Sequence, residues 1–100
     1  MAHKLQIQYD DMDTIAGMFD SYADGTEEQM QKINRCVEDL RGDGWIGLGA
    51  DKFYAEMDDE VMPRLKLLKS GFETAGKQTR RMSQMFQDAE QTILAYFANL

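Results

Sequence analysis

A chain of 100 residues is long enough for one small domain. Its formal net charge of −7 at pH 7 argues against nucleic-acid binding, which needs an excess of positive charge on one face. No run of about 18 apolar residues is present, and the N-terminal stretch is polar, so we expect neither a membrane-spanning helix nor a conventional signal peptide.

The first residues predict a short extended lead-in. Leu5, Ile7 and Tyr9 alternate with polar residues, which is the period of an extended strand. From Asp10 onward the period becomes helical, so we predict that the first helix begins there, with Asp10 as its N-cap. His3 lies within the lead-in and is assigned no role.

A first amphipathic helix is predicted over residues of about 10–41. Apolar residues recur at steps of three and four, close to the heptad pattern of packed helices. Gly42 follows the last apolar position by two residues and is predicted to end the helix. The seam residues expected to pack against a second helix or a second chain are Phe19, Tyr22, Ile33 and Val37.

A second, longer helix is predicted over residues of about 49–97, because the same period resumes after the glycine-rich stretch. Pro63 lies inside this run and cannot donate a backbone hydrogen bond, so we predict a bend near it and one continuous helix. The seam residues of this helix are Phe53, Leu65, Leu68, Phe72, Phe86, Ile93 and Tyr96.

Two helices joined by a turn over 42–48 predict an all-α fold, an antiparallel helix–turn–helix hairpin that forms a single domain over 1–100. Charge supports this register, because residues 64–81 are net basic and residues 9–26 hold five aspartates and no basic residue. The second helix is too long for the first to cover. We therefore predict that two hairpins dimerise into a four-helix bundle.

The sequence predicts no enzymatic chemistry, no cofactor, no metal site and no small-molecule substrate. One histidine and one cysteine make neither a nucleophile–base pair in reach of each other nor a zinc site. A faint calcium-loop pattern that starts at Asp20 fails, because Tyr22 and Gln31 stand where oxygen ligands are needed. Cys36 is predicted to be a small buried hydrophobic residue, with a redox or intermolecular crosslinking role as the alternative.

The stretch RGDGWIGLGA, residues 41–50, allows several interpretations. Its GxGxxG pattern follows a helix and not a strand, which disfavours a dinucleotide loop. Its RGD tripeptide is interpreted as a helix end and a turn. Trp45 is far larger than a simple turn requires. We therefore interpret Trp45, Ile46 and Gly47 as a turn that either caps its own bundle or docks into a partner, two roles that are compatible.

The pattern W-x-G-x-x-A-x-x-F, formed by Trp45, Gly47, Ala50 and Phe53 between two heptad-like helices, resembles the WXG family of small type VII secretion proteins, the relatives of the early secreted antigenic target. The resemblance implies a dimer with itself or with a paralogous WXG protein. It also implies export of the folded dimer from the cytoplasm, without a conventional signal peptide, by a membrane-embedded secretion ATPase.

The family's export signal combines the Trp-x-Gly turn of one subunit with a C-terminal Y-x-x-x-D/E of the other. Tyr96 lies in the expected region of this chain, but Leu100 stands at the acidic position. The resemblance therefore leaves three alternatives: the signal comes from a partner, the chain was cut short, or the chain is not itself the recognised substrate.

Three functional hypotheses follow. The first is a non-enzymatic secreted substrate or partner-chaperone of type VII secretion. The second is a cytoplasmic helical adaptor that is not exported. The third, a membrane-active helix, is disfavoured because the acidic residues 9–26 balance the basic residues 64–81.

Overall fold

The structure, a computed structural model, describes the backbone of residues 2–99 and the side chains of residues 8–99. Those residues are helical apart from the turn and the last position, and none forms a strand, so the all-α prediction is confirmed. The elements are α1 (Ala2–Gly42), α2 (Leu48–Glu56), a π-helical turn (Met57–Val61) and α3 (Met62–Ala98).

Helix α1 begins at Ala2, so the predicted extended lead-in and the predicted N-cap at Asp10 are wrong. Tyr9 is buried, and its hydroxyl donates a hydrogen bond to Glu90 Oε2 at 2.8 Å. It stands seven residues before the buried Ala16, as in a packed helix, and this long-range packing outweighs a short local alternation. The side chains of Leu5 and Ile7, which carried that alternation, lie outside the described residues, as does that of His3.

The chain divides into two compact units. The first, Met1–Asp20 with Glu73–Leu100, is called the terminal unit, and the second, Ser21–Phe72, is called the turn unit.

In the terminal unit, α1 and α3 approach each other closely through small residues. Ala16, Gly76 and Ser83 are all buried. A Cβ atom added at Gly76 would lie 2.7 Å from Asp20 Oδ1 and 3.3 Å from the Ala16 carbonyl oxygen. Arg80 donates a hydrogen bond to Asp20, which holds the pKa of that carboxyl below its usual value. A side chain at position 76 would therefore displace the Asp20 carboxylate from its place beside Arg80 and would crowd the Ala16 carbonyl.

In the turn unit, two helical segments form an antiparallel hairpin. Tyr22 faces Phe72, with ring centroids 5.5 Å apart, and Glu27 faces Lys69, with Oε2 3.1 Å from Nζ. The first segment therefore runs in the opposite direction to the second. The Lys69 hydrogen bond lowers the pKa of the Glu27 carboxyl. The buried side chains of this unit are Ala23, Met30, Val37, Ala50 and Met62.

The helix that follows the turn changes type just before Pro63. Proline has no N–H to donate to the carbonyl four residues earlier. The structure places the π-helical turn there, and the Met62 N–H donates to the Met57 carbonyl oxygen, five residues back. The predicted continuous helix over 49–97 is thus helical throughout but changes type at Met57–Val61, whereas the bend near Pro63 stays a prediction.

Cys36 is exposed, so its predicted burial is wrong. The buried residues of α1 recur every seven positions, and this row includes Val37. Successive helical residues point about 100° apart, which turns Cys36 away from that row.

Substitution of Gly76 by valine tests the close contact. We expect Gly76→Val to lower the free energy of unfolding by about 1–3 kcal/mol, because the backbone of α1 cannot move without disturbing its neighbours. Gly71 is the matched control, since a Cβ there meets nothing within 4 Å. Gly71→Val should change stability by less than about 0.5 kcal/mol. Urea unfolding followed by circular dichroism at one protein concentration measures both, and equal losses would contradict the contact.

Candidate functional site

Helix α1 ends in a Schellman motif. The Gly44 N–H donates to the Arg41 carbonyl oxygen at 3.1 Å, and the Trp45 N–H donates to that of Leu40 at 3.0 Å. Gly44 adopts the left-handed conformation that this motif requires, with φ of 81°. Gly42, the predicted helix-ending glycine, is the last residue of α1 itself, and the glycine with positive φ follows two positions later.

Gly47 is the residue just before α2, and its backbone conformation is one that essentially only glycine adopts. Its φ is 122° and its ψ is 177°, a region in which a Cβ atom is strained. Nothing lies within 4 Å of the position a Cβ would take, so the requirement comes from the backbone torsion and not from crowding. The Gly47 carbonyl oxygen accepts a hydrogen bond from the Asp51 N–H at 2.9 Å. Gly47 therefore fixes the direction in which the chain leaves Trp45.

Trp45 is partly folded back onto α2 and partly open. Its ring centroid lies 5.3 Å from that of Phe53 and 5.7 Å from that of Tyr54, while 42% of the residue remains exposed. Tilted ring pairs at these distances are favourable. The two predicted roles of Trp45, capping its own helices and docking into a partner, are both compatible with this position.

Tyr54 links the turn to both helices. Its hydroxyl donates a hydrogen bond to the Trp45 carbonyl oxygen at 2.9 Å. The Arg41 guanidinium lies 4.5 Å from the centroid of the Tyr54 ring, and Arg41 also pairs with Asp58 at 3.0 Å. Sequence reasoning missed these three residues. The available signal was the opposite charge of Arg41 and Asp58, which are placed on either side of the turn.

Three apolar residues at the turn form a surface that we call the turn patch: Trp45, Ile46 and Leu48. Ile46 is 84% exposed and Leu48 is 74% exposed. Exposed single apolar residues are common, but three large ones within four positions of a turn are more typical of an interaction site.

The predicted seam residues lie in three kinds of environment. Val37 is buried. Phe19, Ile33, Leu65 and Phe72 are partly buried. Exposed seam residues are Tyr22, Phe53, Leu68, Phe86, Ile93 and Tyr96. Their predicted role in dimer contacts stays a prediction, because the structure contains one chain.

An open groove of about 370 Å³ lies on the turn unit. Tyr22, Leu65, Leu68 and Phe72 supply its apolar walls, and Gly25 leaves room between them. Four seam residues predicted from the sequence are thus brought together in one apolar depression.

The described residues hold neither a metal-binding cluster nor a membrane-spanning helix. No group of three or more metal-ligating side chains occurs in that part of the chain. Within the same residues, no helix has the length and apolar character needed to cross a membrane.

The model of the WXG100 family, described as proteins of 100 residues with WXG, matches residues 4–91. The match covers both helical segments and the turn. This family comprises small helical proteins related to type VII secretion, in general without enzymatic activity. No curated protein and no solved structure matches the chain at a significant level.

The torsion at Gly47 gives a direct test of the turn. We expect Gly47→Ala to lower the free energy of unfolding by about 1–3 kcal/mol, because the native φ and ψ are strained for alanine. Gly49→Ala is the control, since Gly49 lies in α2, has no neighbour within 4 Å and has no positive φ. Gly49→Ala should not lower the free energy of unfolding, because alanine has a higher helix propensity than glycine. Thermal unfolding that is equal for the two variants would rule out the torsional requirement.

Proposed function

We propose that this chain, which belongs to the WXG100 family, is a non-enzymatic substrate or partner-chaperone of a type VII secretion system and acts as a dimer. The observation that carries the proposal is the turn Trp45–Gly47. Its backbone is fixed by glycine torsions, and it presents a partly open indole between two helices.

The proposed partner is a second copy of this chain or a paralogous WXG protein. The terminal unit buries Ala16, Gly76 and Ser83 between its own helices, and it leaves Phe86 and Ile93 exposed at 55% and 56%. Small residues bury little apolar area, so these contacts leave the larger apolar side chains at Phe86 and Ile93 uncovered in the single chain. Packing against two further helices in a four-helix bundle would cover the larger side chains.

The groove of the turn unit supports the same arrangement. Its walls of Tyr22, Leu65, Leu68 and Phe72 are apolar and open to solvent. A helix from a second chain would insert apolar side chains into this depression, as knobs enter holes between packed helices. The seam predicted from the sequence would then lie partly within the chain and partly between chains.

The turn patch is the proposed recognition surface for the membrane-embedded secretion ATPase. Tryptophan is prominent among the residues that dominate binding energy at interfaces, and Ile46 and Leu48 extend the apolar area around it. In this proposal the dimer forms in the cytoplasm and is then exported. A cytoplasmic adaptor that is never exported is the alternative, because exposed apolar residues would serve any helical partner.

Assembly is tested by light scattering of the purified chain. We expect about twice the chain mass of 11.5 kDa, either for the chain alone or after it is mixed with a paralogous WXG protein. Phe86→Gln should weaken the dimer about tenfold or more, since the loss of a buried phenylalanine costs about 1.5–3 kcal/mol. Leu67→Gln is the control, because Leu67 is 73% exposed and lies off the predicted seam. A chain that stays monomeric in both settings would refute the four-helix bundle.

Export is tested with Trp45→Ala in cells that carry an active type VII system. We expect the variant to keep its helical circular dichroism and its dimer, because the Trp45 side chain lies at the turn and is partly exposed. We expect its export to fall strongly relative to Gly49→Ala. Normal export of Trp45→Ala would contradict the role of the turn. Retention of the unaltered chain in the cytosol would favour the adaptor.

A further inference from the structure

We propose that Tyr54 is a positioning residue that holds the Trp45 turn in the conformation that is recognised, and that Arg41 and Asp58 hold Tyr54. This inference rests on the proposed role of the turn in recognition. It concerns groups that lie outside the Trp-x-Gly motif, and it follows from the contacts that these side chains make.

The turn needs a restraint of this kind. Asp43–Gly47 is the non-helical link between α1 and α2, and it contains two glycines with positive φ. Glycine has more backbone conformational freedom in the unfolded chain than any other residue, so ordering it costs more entropy. The Trp45 carbonyl stands between the two glycines, and the Tyr54 hydroxyl donates to it at 2.9 Å. This bond fixes the peptide plane from which the indole projects.

Tyr54 is itself held in place. Its ring centroid lies 5.7 Å from that of Trp45 and 5.9 Å from that of Phe53, and the Arg41 guanidinium lies over its ring at 4.5 Å. A guanidinium over an aromatic face is attracted by the negative charge of that face. The ring is therefore restrained by neighbours from both helices.

Asp58 completes the arrangement. It lies four residues after Tyr54, so the two side chains project from neighbouring positions on one helical face. The Asp58 carboxylate accepts a hydrogen bond from the Arg41 guanidinium at 3.0 Å, and this bond keeps Arg41 over the Tyr54 ring. A continuous set of contacts thus runs from the π-helical turn, through the end of α1, to the carbonyl of Trp45.

The consequence for recognition is pre-organisation of the turn patch. A partner that binds Trp45, Ile46 and Leu48 on a restrained turn does not have to order the turn first. Loss of the Tyr54 hydroxyl leaves the aromatic ring and its packing in place and removes only the restraint on the backbone. Tyr54→Phe is therefore the variant that isolates this hydrogen bond.

The first experiment measures amide hydrogen exchange at Gly44 and Trp45 by nuclear magnetic resonance. We expect Tyr54→Phe to raise both exchange rates about fivefold, the equivalent of about 1 kcal/mol for one hydrogen bond. Arg41→Gln should act in the same direction, because it releases the Tyr54 ring. Tyr96→Phe is the matched control, since Tyr96 belongs to the terminal unit and packs on Phe97. Unchanged exchange in Tyr54→Phe would overturn the inference.

The second experiment compares export of Tyr54→Phe, Gly49→Ala and Trp45→Ala. The inference predicts reduced export for Tyr54→Phe and normal export for Gly49→Ala, because a Cβ at position 49 meets nothing within 4 Å. If Trp45→Ala blocks export while Tyr54→Phe is exported normally, the positioning role is wrong and the proposed function stands. If Trp45→Ala is exported normally, the proposed function fails, and the inference fails with it.

Discussion

The close approach of α1 and α3 at Ala16 and Gly76 is the constraint on which the rest of the structure depends. A Cβ atom at Gly76 would lie 3.3 Å from the Ala16 carbonyl oxygen, so a larger residue there would push the two helices apart. Helices this close interlock through small groups, and small groups bury little apolar surface. Several larger side chains of the terminal unit, Phe86 and Ile93 among them, remain exposed. The proposed partner chain would cover these side chains.

At the turn, backbone torsions fix the chain path, and side-chain contacts hold it. Gly44 closes the first helix and Gly47 opens the next, each with a positive φ. The turn unit then uses Arg41, Tyr54 and Asp58 to tie this glycine-rich link to both helices. The residues that hold the turn therefore also hold the proposed interaction surface.

The helices and the turn were predictable because each has a local cause: apolar spacing for the helices, glycines for the turn. The positions of Tyr9 and Cys36 were not, because each depends on which row of α1 faces its neighbour. That row of α1 is marked in part by alanine, and the row of α3 that faces it by Gly76 and Ser83; a search for large apolar residues passes over all of these. The contact between Tyr54 and Trp45 was equally hidden, because it joins a hydroxyl to a backbone carbonyl and leaves no pattern of residue types.

Trp45 is the sole tryptophan of the chain, and it stands in the turn with part of its surface open to water. Ultraviolet excitation at the red edge of protein absorption therefore produces indole emission from this one place. The wavelength and polarisation of that emission report the polarity and mobility around residue 45, without a label and without contributions from elsewhere in the chain. The protein thus carries a built-in optical probe at the position where we propose that it is recognised.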